Sequence, residues 1–131
     1  MCIFCKIIAN EIPSSKVYED ENVLAILDLS QTTKGHTIVM PKKHYANILE
    51  IPGDELAYLI QKVQEIAKNL INKLNAKGFN IIVNTNEAAG QSVMHLHIHI
   101  IPRYDENDGL KVEYIANDKA DLEAVLREIK N

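Results

Sequence analysis

Glycine and proline are scarce, 5 and 4 in 131 residues, while Leu, Ile and Val are abundant. A collagen-like or disordered chain is thereby excluded. No apolar run approaches the roughly 20 residues that cross a bilayer, so no membrane partner is expected. Basic charge is not in excess either: 14 Lys and Arg stand against 18 Asp and Glu, a net charge of −4. A nucleic-acid coat needs a basic face, so nucleic acid is not an expected partner. Residues 1–6 lack a basic segment ahead of a long apolar stretch and do not read as a secretory leader, which makes the cytoplasm the expected location. Cysteine is limited to Cys2 and Cys5. In a reducing compartment such a pair is more often metal-binding or catalytic than a disulfide.

What remains is 47% hydrophobic and 24% charged, the proportions of an ordinary folded domain. No repeat, low-complexity tract or linker divides the chain, so 1–131 is expected to be a single domain. Residues 5–10 suggest a short helix ended by the turn Pro13-Ser14-Ser15, and 17–19 and 23–29 read as a hairpin around Asp20-Glu21-Asn22. A polar loop at 30–35 leads to a third strand at 36–40, closed by Pro41. From Leu56 to Leu74 apolar residues recur at three- and four-residue steps, which predicts the longest helix, with Asp54 as N-cap and Gly78 as stop. Strands are expected at 79–83 and 95–101, the second stopped at Pro102, with a small-residue loop at 84–92 between them. An acidic loop at 104–109 and a second amphipathic helix at 118–130 complete the chain. This order predicts an α+β fold: a mainly antiparallel five-stranded sheet, one long helix and a C-terminal helix.

The most informative segment is His95-Leu96-His97-Ile98-His99-Ile100-Ile101. In a strand, side chains alternate faces, so three imidazoles would share one face and the aliphatic residues the other. A half-buried strand with a polar outer face is the bland explanation, yet Thr, Lys or Glu would serve there equally well. One functional explanation is an open zinc site, since His-x-His on a strand suits two ligands and the third histidine completes it. The other is nucleophilic catalysis, in which one imidazole attacks phosphorus and a neighbour binds the phosphoryl oxygens. Gly90-Gln91-Ser92, just ahead of the row, favours the second, because backbone N–H groups and a hydroxyl can surround a phosphate.

The run from Gly90 to Ile100 resembles the signature of the histidine triad (HIT) family in its Hint-like branch. Upstream, Cys2-Ile3-Phe4-Cys5-Lys6-Ile7-Ile8, Glu11-Ile12-Pro13, Asp28, Gly35-His36-Thr37 and Pro41-Lys42-Lys43-His44 match the family pattern in order. The resemblance covers about residues 2–103 and leaves 104–131 outside. It implies a HIT-like fold and a homodimer joined through the long helix and the strand near Phe79. It implies hydrolysis of nucleoside 5′-phosphoramidates or related nucleotidyl compounds, with a purine, adenosine-type nucleotide as ligand. By matching position, His97 would be the nucleophile and form a nucleotidyl-histidine. His99 and Ser92 would bind the α-phosphate oxygens, and Asn84 with the backbone of Gly90, Gln91, Ser92 and Val93 would shape the phosphate site. Ile3, Phe4 and Leu29 would wall the base pocket, Asp28 would bind the ribose hydroxyls, and His36 would support the catalytic imidazoles. None of these roles needs a catalytic metal.

On sequence alone Asp28 is equally well explained by turn chemistry, and Lys42-Lys43 by a solvated surface pair. Cys2-x-x-Cys5 has no room for the strand that precedes a thioredoxin-like redox pair. Two thiolates are half of a tetrahedral zinc site, and histidine must supply the rest. The resemblance to bacterial members of the branch implies the set Cys2, Cys5, His44 and His95, a closed and therefore structural site. Two free buried thiols are the alternative. The expected activity is that of a nucleotide phosphoramidase or nucleotidyl hydrolase. A dinucleoside polyphosphate hydrolase, a nucleotide-binding regulatory protein with incidental hydrolysis, and a three-histidine zinc hydrolase are the competing readings.

Overall fold

The computed structural model describes residues 2–131. Helix α1 (Ile3–Ile8) begins earlier than the expected 5–10 because Cys2 is its N-cap, its Sγ accepting the Cys5 N–H at 3.2 Å. The cysteine takes the role usual for Ser or Asp, satisfying a donor that the first helical turn leaves free. Strands β1 (Lys16–Glu19) and β2 (Val23–Leu27) form the predicted hairpin. β2 stops two residues short of the expected end, because Asp28 turns the chain by accepting the Ser30 N–H at 2.8 Å. After β3 (Thr37–Pro41) comes the long helix α2 (Gly53–Leu74). Asp54 lies inside its first turn, where a carboxylate suits the helix dipole, and Pro52 is the cap. The helix stops at Asn75, which takes the left-handed conformation (φ 57°), while Gly78 opens strand β4 (Gly78–Ile82).

The largest departure from expectation is at β5 (Ile98–Arg103), which starts three residues later than predicted. Leu96 donates its N–H to Tyr45 O at 2.7 Å, so the backbone of His95 to His97 runs alongside the 45–47 loop before joining the sheet. The strand then continues through Pro102, which pairs with Phe79. Pro102 O accepts the Thr33 hydroxyl at 2.6 Å, so on that side a loop replaces the sheet neighbour and the missing proline N–H breaks no ladder bond.

The sheet order is β1-β2-β3-β5-β4, every pairing antiparallel, which makes the molecule the expected α+β fold. Strand alternation divides the core between the two faces. Val23, Ala25, Val39, Ile98 and Ile100 pack with Leu59, Val63, Ile66 and Leu70 of α2. Leu24, Ile26, Ile38 and Met40 pack with Phe4 and Ile7 of α1. Helix α3 (Leu122–Lys130), capped by Asp121 rather than starting at 118, buries none of its residues. Among the described residues, no helix is long and apolar enough to cross a membrane.

Candidate nucleotide site and metal centre

The functional side chains gather on the sheet face beneath α1. His99 pairs in register with Ile38 there, and both His95 and His97 are buried, so the row of histidines is not the polar outer face of the bland explanation. Each imidazole of the row has a different partner. His95 Nε2 donates to Pro41 O at 2.8 Å, which leaves Nδ1 unprotonated and turned toward the sulfurs. His97 Nδ1 donates to His95 O at 2.7 Å, leaving its Nε2 as a free lone pair. His99 Nδ1 lies 2.9 Å from His36 Nε2. The Thr32 N–H reaches His36 Nδ1 at 3.3 Å, so His36 carries its proton on Nε2 and donates it to His99. The His99 proton is thereby placed on Nε2. Burial, with His97 and His36 beside it, holds His99 down to about 4, so at neutral pH it is an uncharged N–H donor. A zinc ion held by all three histidines of the row is incompatible with this division of partners.

Cys2, Cys5, His44 and His95 converge from the N-cap of α1, the segment after β3 and the approach to β5. Four sulfur–nitrogen separations of 3.4, 3.4, 3.6 and 3.6 Å and a nitrogen–nitrogen separation of 3.2 Å connect them. At ordinary zinc bond lengths a tetrahedron has corresponding edges of about 3.6 and 3.4 Å. The sulfur–sulfur edge, 3.1 Å, is tighter than the corresponding edge of about 3.8 Å. Two thiols and two imidazoles are a tetrahedral donor set, and the Pro41 carbonyl orients His95 as an outer hydrogen-bond partner does at metal centres. Burial, together with the Cys2 thiol alongside, pushes the Cys5 thiol up, and burial pulls His95 down. A bound cation would favour both deprotonated forms. These four residues could hold a metal. Asp28, His36 and His99 also bring donor atoms together, but the two imidazole nitrogens point at each other in a hydrogen bond and not at a common third point.

A cavity of about 370 Å³ opens over His97 and His99, within the range of small-molecule sites. Ile3, Phe4 and Ile7 of α1, Ile26 and Leu27 of β2, and Ile38 of β3 form its apolar walls, with Leu29 fully exposed at the rim. Asp28, Asn84, Gly90, Ser92 and Val93 line the remainder. Phe4 stands edge-on to His97, ring centres 4.9 Å apart, so the wall of the cavity also packs the imidazole. Gly90 has φ +97°, a conformation that favours glycine and turns the 90–93 segment back toward the histidines. Another cavity, about 390 Å³, lies at Lys42, Lys43, Asp54 and Glu55. No histidine, cysteine, serine or threonine lines it, and Lys42 and Lys43 are matched to Glu19 and Glu55 at 2.9 and 3.6 Å.

All but two of the residues expected at the nucleotide site line the first cavity. Gln91 is buried with its side chain turned away, donating to Ala46 O and Val93 O and accepting from the Asn86 N–H, so it builds the loop. His36 stands behind His99. Ile7, Ile26, Leu27 and Ile38 were not singled out in the sequence; the two-residue alternation of β2 and β3 carried the signal for Ile26 and Ile38.

The HIT domain model matches residues 9–106. A HIT-like protein of Methanocaldococcus jannaschii is 52% identical over 130 residues, 99% of each chain. An adenosine 5′-monophosphoramidase of Saccharomyces cerevisiae is 39% identical over 89% of this chain and 72% of its own. An adenylylsulfatase of Arabidopsis thaliana is 42% identical over 81% of this chain and 54% of its own. Among solved structures, a HIT family protein of Bacillus anthracis superposes with TM-score 0.91 at 44% identity, over 98% of this chain and 92% of that one. A zinc-bound histidine triad family protein of Mycobacterium smegmatis superposes with TM-score 0.78 at 34% identity, over 98% and 95%.

Proposed function

Since the chain belongs to the HIT family, we propose that it hydrolyses nucleoside 5′-phosphoramidates or related nucleotidyl compounds through a nucleotidyl-histidine on His97. The observation that carries this reading is the His97 tautomer: Nδ1–H is spent on His95 O, and the Nε2 lone pair belongs to a buried ring lining the cavity. A neutral imidazole is a good nucleophile toward phosphorus and, once protonated, a good leaving group. In the first step the His97 Nε2–phosphorus bond forms and the phosphorus–nitrogen bond of the substrate breaks, the amine departing with a proton taken from solvent. In the second, water attacks phosphorus and releases a proton to solvent, the His97–phosphorus bond breaks to restore the neutral Nδ1–H imidazole, and a nucleoside monophosphate leaves. Charge on the transferring group spreads over its oxygens, so donors placed around them lower the barrier. His99 Nε2–H, the Ser92 hydroxyl and the 90–93 backbone are those donors in this proposal. Asp28 uses Oδ1 on the Ser30 N–H and sets Oδ2 3.6 Å from His36 Nε2, and in this proposal its remaining lone pairs take the ribose hydroxyls.

The adenosine-type substrate is supported by the two plant and yeast relatives, whose names specify adenylyl compounds. Zinc is the metal proposed for Cys2, Cys5, His44 and His95, supported by the S₂N₂ donor set and the zinc-bound neighbour. Four protein ligands would saturate the ion, and its role would be to fasten α1, with Ile3 and Phe4, over the cavity. The proposed assembly is a homodimer through α2 and β4, and the proposed location is the cytoplasm. A panel of adenosine and guanosine 5′-phosphoramidates, adenylylsulfate and dinucleoside polyphosphates, compared by kcat/KM, tests the activity. A marked preference for phosphoramidates is expected. Tight nucleotide binding with no turnover of any member would replace the enzyme by a nucleotide-binding regulator.

A further inference from the structure

The loop at residues 30–35 supplies an N–H to His36 Nδ1, and it is fastened from outside by the end of β5 and the segment that follows it. Three contacts hold it. The Thr33 hydroxyl donates to Pro102 O at 2.6 Å, and Thr33 is buried. The Tyr104 hydroxyl donates to Lys34 O at 2.7 Å. Gly109 lies so close to the loop that a Cβ on it would collide with the Thr32 carbonyl oxygen. Gly109 is itself held in place. Asp108 accepts from Arg103 Nε at 2.9 Å and from the Tyr104 N–H at 2.9 Å, and Arg103 also donates to Leu110 O at 3.0 Å. Within the loop, Gln31 donates to Asp28 O and His36 O and accepts the Gly35 N–H, which ties its two ends together.

From these contacts we infer that Thr33, Tyr104 and Gly109 are positioning residues, which hold the Thr32 N–H on His36 and so keep His99 as an Nε2–H donor to the reacting phosphoryl group. The inference rests on the nucleotidyl-transfer reading for its consequence but not for its geometry. Asp108 and Gly109 fall outside the stretch, 9–106, that matches the family. The chain of contacts is continuous: Gly109 against Thr32, Thr32 N–H to His36 Nδ1 at 3.3 Å, His36 Nε2 to His99 Nδ1 at 2.9 Å. The first bond of the relay is long for N–H···N, so a small displacement of the loop breaks it. His36 then loses the donor on Nδ1; only the Asp28 carboxylate, with Oδ2 3.6 Å from Nε2, still favours the Nε2 proton, and the two rings can share a second tautomer.

The test uses the full chain with Gly109→Ala, Thr33→Val/Tyr104→Phe and, as the direct probe of the donor, Thr32→Pro beside Thr32→Ala. Glu106→Ala, in the same exposed loop, is the control. In the wild type, ¹⁵N shifts of the His36 and His99 rings should show both as Nε2–H tautomers. Gly109→Ala, Thr33→Val/Tyr104→Phe and Thr32→Pro should mix the tautomers and lower kcat for adenosine 5′-phosphoramidate by about 10- to 100-fold, the size of effect a small misplacement causes. AMP affinity should change less than kcat. Thr32→Ala, which keeps the N–H, should keep the wild-type tautomers, and Glu106→Ala should behave as wild type. If Gly109→Ala fails to fold, Thr33→Val/Tyr104→Phe decides. Folded variants with wild-type ring shifts and wild-type kcat would overturn the inference, even if their Tm fell. Absence of hydrolysis by the wild type would instead overturn the proposed activity, and the ring shifts would still test the brace.

Discussion

His97 donates its Nδ1–H to the backbone carbonyl of His95, 2.7 Å away, while the His95 ring faces Cys2 and Cys5. One residue therefore belongs to two sites, its side chain to the sulfur cluster and its carbonyl to the nucleophile. The carbonyl orients the His97 ring whatever the side chain of residue 95 binds, so the two sites can be perturbed separately. Phe4, between the two cysteines, is the second link, standing against both rings.

His97→Ala should lower phosphoramidate turnover by on the order of 10³-fold or more, with AMP affinity largely retained. The alanine variant loses the covalent step, whereas the apolar walls and Asp28 remain. Rapid-quench capture of a nucleotidylated wild-type chain, absent in the variant, checks the assignment. Near-normal turnover by His97→Ala would move the nucleophile elsewhere.

The row of histidines was legible because three identical polar residues at alternate positions are hard to explain by a solvated strand. Their partners were not. The Leu96 N–H bond to Tyr45 O, which delays β5, joins segments about fifty residues apart, and His36 meets His99 across 63 positions. The metal set was reached through resemblance to a family, since Cys2-x-x-Cys5 alone does not choose His44 and His95 among five histidines. Helix α2 was legible from its three- and four-residue spacing, but its stop was misplaced: Gly78 has the usual composition for a C-cap, and Asn75 has the conformation. The brace at Tyr104 and Gly109 left no periodic or compositional trace.

Acid should weaken the fold through His99. Its folded value, about 4, lies below the ordinary 6.5, so between these values the unfolded chain takes up a proton that the folded chain refuses. The contribution of neutral His99 is complete above about pH 6.5, falls progressively toward pH 4 and is flat below it. Urea unfolding at pH 7.0, 5.5 and 4.5 should show a shallower acid loss in His99→Gln than in the wild type. Equal losses in both would place the acid sensitivity at other groups, such as His95.

Removing the two thiols should separate binding from chemistry. Cys2→Ala/Cys5→Ala leaves two histidines of the four donors, too few for a closed zinc site, and takes away the sulfur that caps α1. Zinc content should fall from one per chain to none. Ile3 and Phe4 then lose their anchor, and AMP affinity should weaken by about tenfold, roughly 1.4 kcal/mol. The nucleotidyl-histidine should still form, because the His95 carbonyl is untouched. Elemental analysis finding no metal in wild-type protein purified without chelator would remove the zinc proposal. Loss of the covalent step on chelation, with fold and AMP binding intact, would make the metal catalytic.

The second copy should sit on β4. That strand is an edge of the sheet, bonded to β5 alone, and its Phe79 and Ile81 are 38% and 46% exposed. On α2 the buried row is Leu59, Val63, Ile66 and Leu70, while Ile60, outside it, is 45% exposed. An apolar, unpaired edge invites self-pairing unless something covers it. A two-fold contact covers the same patch on both copies at once, and each large apolar side chain fully buried contributes about 1.5–3 kcal/mol. Light scattering at micromolar concentration should give twice the chain mass for the wild type. Phe79→Glu/Ile81→Glu places two carboxylates from each copy across the two-fold and should give the monomer mass, with the far-UV spectrum unchanged. A wild-type monomer, or a double variant that stays dimeric, would take the contact away from this edge.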